Sequence, residues 1–237
     1  ISGLPKMLNP GGQFVAAVRA TDRVDGNLEQ RVREWLGEEH ADFDIVVVVR
    51  SIVQPQEHAI SASMLAKQNL DDYQEYIDLF DGLGVTRMPY AHLLIERKAE
   101  GVPLTLRRLI GKRCTTAEMQ SLLAWERAKP SIRLAGARLR PSPHMELRVR
   151  HRFKNGEVIP VEYAFHVEHP FHEQEPVPEW VARIAALCIA DRTTEQVYVL
   201  IREEYPIPLA DFESALKKLI TMGVLQLASG SNTISSN

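Results

Sequence analysis

The feature that most constrains the fold of this chain is a run of five consecutive apolar residues, Ile45 to Val49. Because successive side chains of a strand point to opposite faces, this run leaves no face for solvent, so a strand over residues 43–53 must be covered on both sides. Upstream, residues 13–20 predict another buried strand, and Asn27 can cap a helix that runs to Leu36 and ends before Gly37. Strand, helix and strand in this order are the unit of an α/β layered fold.

Further elements follow Pro55, which ends the predicted strand. Residues 58–67 and 70–80 predict helices, and residues 87–97 predict a strand. The only G-x-G motif of the chain, Gly82-Leu83-Gly84, lies between the second helix and that strand. A nucleotide-binding loop leads from a strand into a helix, so this motif is interpreted as a turn.

The second half predicts a hairpin followed by a helical module. Thr115 and Glu118 form a capping box for a helix to residue 129, and residues 138–143 predict a connector. After the hairpin, residues 169–178 predict a proline-containing linker. Three helices (179–190, 194–204 and 209–222) and a short strand (224–227) then predict a winged-helix-like module. The expected domains are residues 1–112, the α/β region; 113–143, a helix and connector; 144–228, the hairpin with the winged-helix-like domain; and 229–237, a disordered tail.

The hairpin alternates apolar and charged residues on both sides of Asn155-Gly156. A two-residue turn would place the apolar residues of the second strand opposite arginines. A three-residue loop that starts at Lys154 places them opposite the apolar residues of the first strand. Because the buried face sets the register, the sequence favours the three-residue loop, with Gly156 left-handed in a bulge. In this register His144 lies opposite His166.

Charge is distributed unevenly along the chain. The net charge is −3, but residues 127–154 contain nine basic residues and one acidic residue, a net +8 that leaves −11 for the rest. Three arginines at alternate positions of the first hairpin strand would project from one side, about 6.5–7 Å apart. That spacing approximates successive phosphates of a nucleic acid. The candidate substrate-binding residues are Arg140, Arg148, Arg150, Arg152 and Lys154.

Two interpretations of these basic residues stay open. In the first they contact RNA or another anionic macromolecule, and their side chains are exposed and unpaired. In the second they form a solvated face paired with carboxylates such as Glu146 or Glu162.

Several short motifs resemble one enzyme family. A turn of the type Leu-x-Pro-Gly-Gly, Leu8 to Gly12, precedes the first predicted strand, and the segments 72–76 and 84–90 lie before and within the last strand of the first half. These motifs resemble bacterial class I SAM-dependent methyltransferases that carry a small C-terminal domain after the catalytic one. The resemblance implies that residues 13–20, 43–53 and 87–97 are the fifth, sixth and antiparallel seventh strands of a Rossmann-like sheet.

The resemblance omits the cofactor site. The family binds SAM at the ends of its first, second and fourth strands, and no such strands precede residue 13. The Asn-Pro-Pro-aromatic motif is also absent, since Asn9-Pro10 is followed by Gly11. SAM is therefore expected in a longer protein and not on these residues alone, and no catalytic or cofactor-binding residue is assigned. The strand over residues 13–20 would expose an edge that favours self-association.

The sequence supports two function hypotheses. The first is part of a SAM-dependent methyltransferase that acts on RNA or a translation-related protein, with this portion completing the sheet and recognising substrate. The alternative is a non-catalytic module that binds nucleic acid or protein through the basic hairpin and terminal helices. A glycine-rich strand-to-helix loop upstream of Ile1 would favour the first.

The remaining candidates are histidines and cysteines. His166, His169 and His172 have H-x-x-H-x-x-H spacing and could bind zinc or nickel, although packing roles are favoured and no metal is assigned. A helix start lowers the pKa of a thiol such as Cys114, but no catalytic signature surrounds it. The absence of C-x-x-C spacing indicates free thiols in a reducing compartment, so a cytoplasmic location is expected. The short apolar runs indicate no membrane span.

Overall fold

The structure is a computed structural model that describes residues 1–65, 70–111, 113–189 and 191–228. The predicted tail, residues 229–237, and the end of the helix predicted over residues 58–67 lie outside these ranges. The chain is an α/β protein whose strands pair mostly in antiparallel fashion. It divides into two compact units, Ile1–Leu109 and Ile110–Asn237.

The first unit alternates strands and helices. Its described elements are α1 (Leu4–Met7), β1 (Gln13–Arg19), β2 (Asp22–Arg23), α2 (Leu28–Trp35), a 3₁₀ helix (Gly37–Asp42), β3 (Phe43–Val53), α3 (Pro55–Leu65), α4 (Leu70–Gly82), β4 (Val85–Arg97) and β5 (Thr105–Ile110). The three strands predicted in this half are confirmed, and β3 has the predicted bounds.

The sheet of the first unit has the order β1-β4-β3-β5. β4 is antiparallel to both β1 and β3, so these two strands are parallel to each other, and β5 pairs with β3 in parallel. β2 pairs with the start of β4. The prediction that the first strand is buried was wrong: side chains of β1 alternate between exposed and half-buried, because it is the outermost strand of the described sheet.

The core of the first unit lies between the sheet and α2. Leu28 and Val32 of α2 are buried in one cluster with Val47, Val49 and Leu93 of the sheet. All residues from Phe43 to Val49 are buried, as the apolar run predicts. The predicted cap is confirmed, since Asn27 and Gln30 form a reciprocal capping box.

An ion cluster joins three elements of this unit. Asp22 on β2 is 2% exposed, and Arg107 on β5 donates to its Oδ2 at 2.7 Å and to Glu29 Oε2 on α2 at 3.0 Å. The Leu28 N–H also donates to Asp22, at 3.0 Å. Burial alone would raise the pKa of Asp22, but the hydrogen bonds from Arg107 and Leu28 lower it below its ordinary value. The cluster therefore fixes β2, α2 and β5 to one another through a buried carboxylate.

The described part of the second unit combines antiparallel strands with four helices. Its described elements are α5 (Thr116–Ala128), β6 (Leu139–Pro141), β7 (Met145–Lys154), β8 (Glu157–Val167), β9 (Phe171–Val177), α6 (Glu179–Leu187), α7 (Thr194–Glu204), α8 (Leu209–Thr221) and β10 (Leu225–Leu227). The order β7-β8-β9 is antiparallel throughout, and β6 pairs with β10.

Local signals predicted the helices of this unit well. Thr115 with Glu118 and Thr193 with Gln196 form the predicted capping boxes, and α7 has the predicted bounds. Phe165 of the hairpin packs in one buried cluster with the helical residues Ile184, Ile201, Phe212 and Leu216. The three terminal helices therefore share a core with the sheet of their own unit.

Two segments predicted to be irregular are strands. Residues 169–178, predicted as a linker, contain β9, which pairs with β8 from Val167 to Tyr163 and buries Phe171 and Val177. Residues 138–143, predicted as a connector, contain β6, which pairs with β10. Both form because a partner strand supplies hydrogen bonds and a buried face, which the prolines in these segments concealed.

Candidate functional site

The predicted basic site lies on the hairpin of β7 and β8, and its turn differs from the expectation. Lys154 pairs with Glu157, and Asn155 and Gly156 have φ angles of 52° and 83°. This is a two-residue turn with both central residues left-handed, the geometry that Asn-Gly favours. The predicted three-residue loop was wrong, whereas the positive φ at Gly156 is confirmed.

A bulge inside β8 restores the buried register. Arg150 pairs with Glu162 but His151 pairs with Pro160, so Val161 is the extra residue. Beyond this bulge Tyr163 lies opposite Val149, which is the apolar pairing that the sequence favoured. The predicted pairing of His144 with His166 was also wrong, because His166 lies opposite Glu146.

Near the turn, the two strands of the hairpin pair only with each other among the described strands. β9 pairs with β8 no farther than Tyr163, and residues 151–161, here called the hairpin arm, are all exposed. Phe153 is 81% exposed and pairs with Val158, which is 56% exposed. Arg152 and Lys154 occupy the alternate positions. On one face of the arm Phe153 lies opposite Val158, and on the other face Arg152 and Lys154 lie opposite Ile159 and Glu157.

The candidate arginines differ in their partners. The Arg148 Nη2 atom lies 2.9 Å from His166 Nδ1 and 3.3 Å from Glu146 Oε2, and Arg150 Nε donates to Glu162 Oε2 at 2.7 Å. The expectation of unpaired side chains was therefore wrong for these two arginines. Because both ion pairs are largely exposed, each contributes about 1 kcal/mol or less to stability. Their main effect is to cancel the positive field locally.

The other three candidates make no ion pair among the described residues. Arg152 and Lys154 lie on the hairpin arm on the same side of β7 as the paired arginines. Arg140 lies elsewhere in the second unit, on β6 opposite Gln226. The structure therefore brings Arg148, Arg150, Arg152 and Lys154 together on one strand and separates Arg140 from them in the pairing.

The histidines form two pairs. The rings of His144 and His169 lie 4.8 Å apart and those of His166 and His172 lie 5.2 Å apart, both edge to face. His169 Nε2 also lies 3.0 Å from Glu118 Oε1. Among the described residues, no group of three His, Cys, Asp or Glu side chains is placed to hold a metal ion.

Cys114 lacks the character of a catalytic nucleophile. Burial and the neighbouring Glu118 carboxylate raise the pKa of Cys114 to about 11, opposite to the lowering expected from a helix start. Burial raises the pKa of Cys188 to about 12. Both thiols are therefore protonated at neutral pH, and neither is in a disulfide.

Comparison with known proteins adds no assignment: no family model matches the chain, and no curated protein matches it. None of the helices in the described ranges combines the length and the apolar character needed to cross a bilayer.

Proposed function

We propose that this chain is the C-terminal part of a SAM-dependent methyltransferase, in which the first unit completes the catalytic sheet and the hairpin arm contacts RNA. The observation that carries the proposal is the arrangement of β1, β4 and β3. A Pro-Gly-Gly turn enters β1, α2 connects β1 to the parallel strand β3, and β4 runs antiparallel between them. The family resemblance requires an antiparallel last strand in this part of the sheet.

The outer edge of β1 supports the same proposal. Among the described strands, none pairs with that edge, and Val15 on it is 46% exposed. Unpaired N–H and C=O groups on an edge strand can form hydrogen bonds with a further strand. The preceding strands of a complete methyltransferase sheet would supply one, and they would also carry the SAM loops that this chain lacks.

The hairpin arm suits an RNA substrate better than a folded protein surface. Arg152 and Lys154 can neutralise phosphates without first breaking an ion pair in the described part of the chain. Phe153 on the opposite face is free to stack on an unpaired base, and such stacking contributes about 1–3 kcal/mol per base. The terminal helices of the same unit pack at the other end of the hairpin, where Phe165 is buried with them. The proposal includes the interpretation of the three terminal helices and β10 as a winged-helix-like module.

The test is methyl transfer from labelled SAM to RNA by the protein translated from the complete open reading frame. The double variant Arg152→Gln/Lys154→Gln should reduce methyl transfer. It should also make the slope of the logarithm of the RNA-binding constant against the logarithm of the salt concentration less negative by about 1.5. The matched control Arg148→Gln/Arg150→Gln removes the same charge from residues already paired, so it should flatten the slope less. Label that never reaches RNA, or equal slopes for both variants, would contradict the proposal.

A second candidate function is a non-catalytic RNA-binding module. It is favoured by the position of the hairpin arm, which lies wholly within the second unit and needs no SAM site to bind phosphates. RNA binding that depends on Arg152 and Lys154, in a complete protein that binds no SAM, would support this candidate over the first.

A further inference from the structure

A cleft opens in the first unit where β1 and β3 end. Both strands are antiparallel to β4, so their carboxyl ends reach the same edge of the sheet, on either side of Tyr90. The cavity there has a volume of about 500 Å³, within the usual range of small-molecule sites. The polar residues that line it are Arg19, Arg50, Ser51, Tyr90 and His92. We call this cavity the strand-end cleft.

A β-bulge places Arg50 at the cleft. Val49 pairs with Ala91 and Ser51 pairs with Tyr90, so Arg50 is the extra residue of β3. The side chains of β3 are buried as far as Val49, exposed from Arg50 to Ile52 and half-buried at Val53. A bulge bends its strand and redirects the side chain, and such bulges are common beside binding sites. The end of β3 is therefore turned from a core strand into a wall of the cleft.

Arg19 is held on the opposite wall by Tyr90. Its guanidinium carbon lies 5.1 Å from the centre of the Tyr90 ring, and the Tyr90 hydroxyl lies 2.9 Å from His58 Nδ1 on α3. Burial and the charge of Arg19 both lower the pKa of His58, so His58 is neutral at pH 7 and its Nδ1 can accept a hydrogen bond from the Tyr90 hydroxyl. These contacts orient the ring on which the guanidinium rests.

Among the described residues, the cleft carries positive charge without a neighbouring carboxylate. The ion pairs among the described residues involve neither Arg19 nor Arg50, and no acidic side chain is among the described residues that line the cavity. Ser51 and His92 add hydrogen-bonding groups, and Ala17 and Ala91 add apolar surface. Two guanidinium groups beside a hydroxyl and an imidazole match the oxygens of a phosphate or a carboxylate.

We propose that the strand-end cleft binds the oxyanion group, phosphate or carboxylate, of a small molecule. The guanidiniums of Arg19 and Arg50 supply the charge, Ser51 and His92 supply hydrogen bonds, and Tyr90 supplies an aromatic wall for the rest of the ligand. The site shares no residue with the hairpin arm, since all of its residues belong to the first unit and the arm belongs to the second.

The test is a titration followed by amide NMR, with inorganic phosphate and acetate as separate probes at constant ionic strength. Saturable shifts at Arg50, Ser51 and His92 with phosphate, acetate or both would support the site and identify the preferred oxyanion. Arg50→Gln should weaken that binding at least tenfold. Arg87→Gln, an exposed arginine of the same unit that lies outside the cleft, should leave it unchanged.

Two further measurements keep the result unambiguous. With the other two tryptophans replaced by phenylalanine, the fluorescence of Trp35 reports whether each variant keeps the fold of the first unit. Arg19→Gln provides a second variant on the other wall. The Arg152→Gln/Lys154→Gln variant should bind the probes like the parent, which separates this site from the hairpin arm. Linear, unsaturated shifts with both probes, or equal effects of Arg50→Gln and Arg87→Gln, would overturn the proposal.

Discussion

Replacing Arg107 by methionine tests whether the buried ion cluster stabilises the first unit. Arg107 makes hydrogen bonds of 3.1 and 2.7 Å to Asp22 and one of 3.0 Å to Glu29, and Asp22 is 2% exposed. In Arg107→Met the Asp22 carboxylate would keep the Leu28 N–H as a partner and the exposed Arg87 at 4.0 Å, but lose the guanidinium that is hydrogen-bonded to it. Removing one partner of a buried pair costs about 3–5 kcal/mol, because the other charge stays buried.

Protonation limits that cost. At pH 7 the variant can protonate Asp22 instead of burying its charge. Protonation costs about 1.4 kcal/mol for each pH unit above the ordinary pKa of about 3.9, so the destabilisation by Arg107→Met is limited to about 4 kcal/mol. We therefore expect Arg107→Met to lose about 3 kcal/mol of unfolding free energy at pH 7. At pH 5 the cost of protonating Asp22 falls to about 1.5 kcal/mol. The difference in unfolding free energy between parent and variant should therefore narrow as the pH falls.

The sign of this pH dependence follows from the lowered pKa of Asp22 in the parent. A carboxyl group with a lowered pKa stabilises the folded state above its unfolded pKa, and this contribution is lost as the pH falls through the folded pKa. Urea unfolding followed by Trp35 fluorescence, with the other two tryptophans replaced by phenylalanine, measures the first unit. Arg87→Met is the matched control, because Arg87 lies 4.0 Å from Asp22 with 55% of its side chain exposed, and it should cost less than about 1 kcal/mol. A loss below 1 kcal/mol for Arg107→Met, or one that does not change between pH 7 and pH 5, would refute the reasoning.

Three further predictions concern single positions. Gly111→Ala should lower the stability measured by thermal unfolding by about 2 kcal/mol or more, because the added Cβ would lie 1.8 Å from the Glu168 carbonyl oxygen. Gly82→Ala, where no atom lies within 4 Å of the added Cβ, should cause no such loss, and a similar loss for both variants would count against this packing. Gly156→Val should speed amide hydrogen exchange at the end of the hairpin arm without lowering global stability, because φ is +83° there and no atom lies near the added carbon; unchanged exchange would argue against the two-residue turn. Alkylation of Cys114 should accelerate with pH up to about 11, and a plateau below pH 9 would show that burial does not control this thiol.

Elements with local signals could be predicted from the sequence. The bounds of β3 followed from its apolar run, and the starts of α2, α5 and α7 followed from capping boxes that involve residues only three apart. β9 could not be predicted in this way, because its polar residues and Pro176 resemble a linker until β8 supplies the hydrogen-bond partners. The predicted features therefore depend on neighbours in sequence, and the missed ones depend on distant strands.

The hairpin shows two local rules in conflict. Asn155-Gly156 favours a two-residue turn, whereas burial of Tyr163 and Phe165 requires the register of a three-residue loop. The structure meets both requirements by placing an extra residue, Val161, inside β8, which no turn rule predicts.

The candidate sites differ in the same way. The basic residues of β7 and two carboxylates that could pair with them, Glu146 and Glu162, could be identified from the sequence, but which arginine each carboxylate pairs with depended on the register. Arg19 and Arg50 are distant in sequence, and they line one cleft only because β4 lies between β1 and β3. The cleft could not be predicted from the sequence, because the local residue pattern does not determine the order of the strands in the sheet.

The most direct test of the proposed function is a calorimetric titration of SAM into two proteins. One is the protein translated from the complete open reading frame, and the other is residues 1–237. The proposal predicts micromolar binding to the complete protein and none to residues 1–237, because the strands and loops that hold SAM in this family precede β1. Absence of SAM binding by the complete protein, or micromolar binding by residues 1–237 alone, would contradict it.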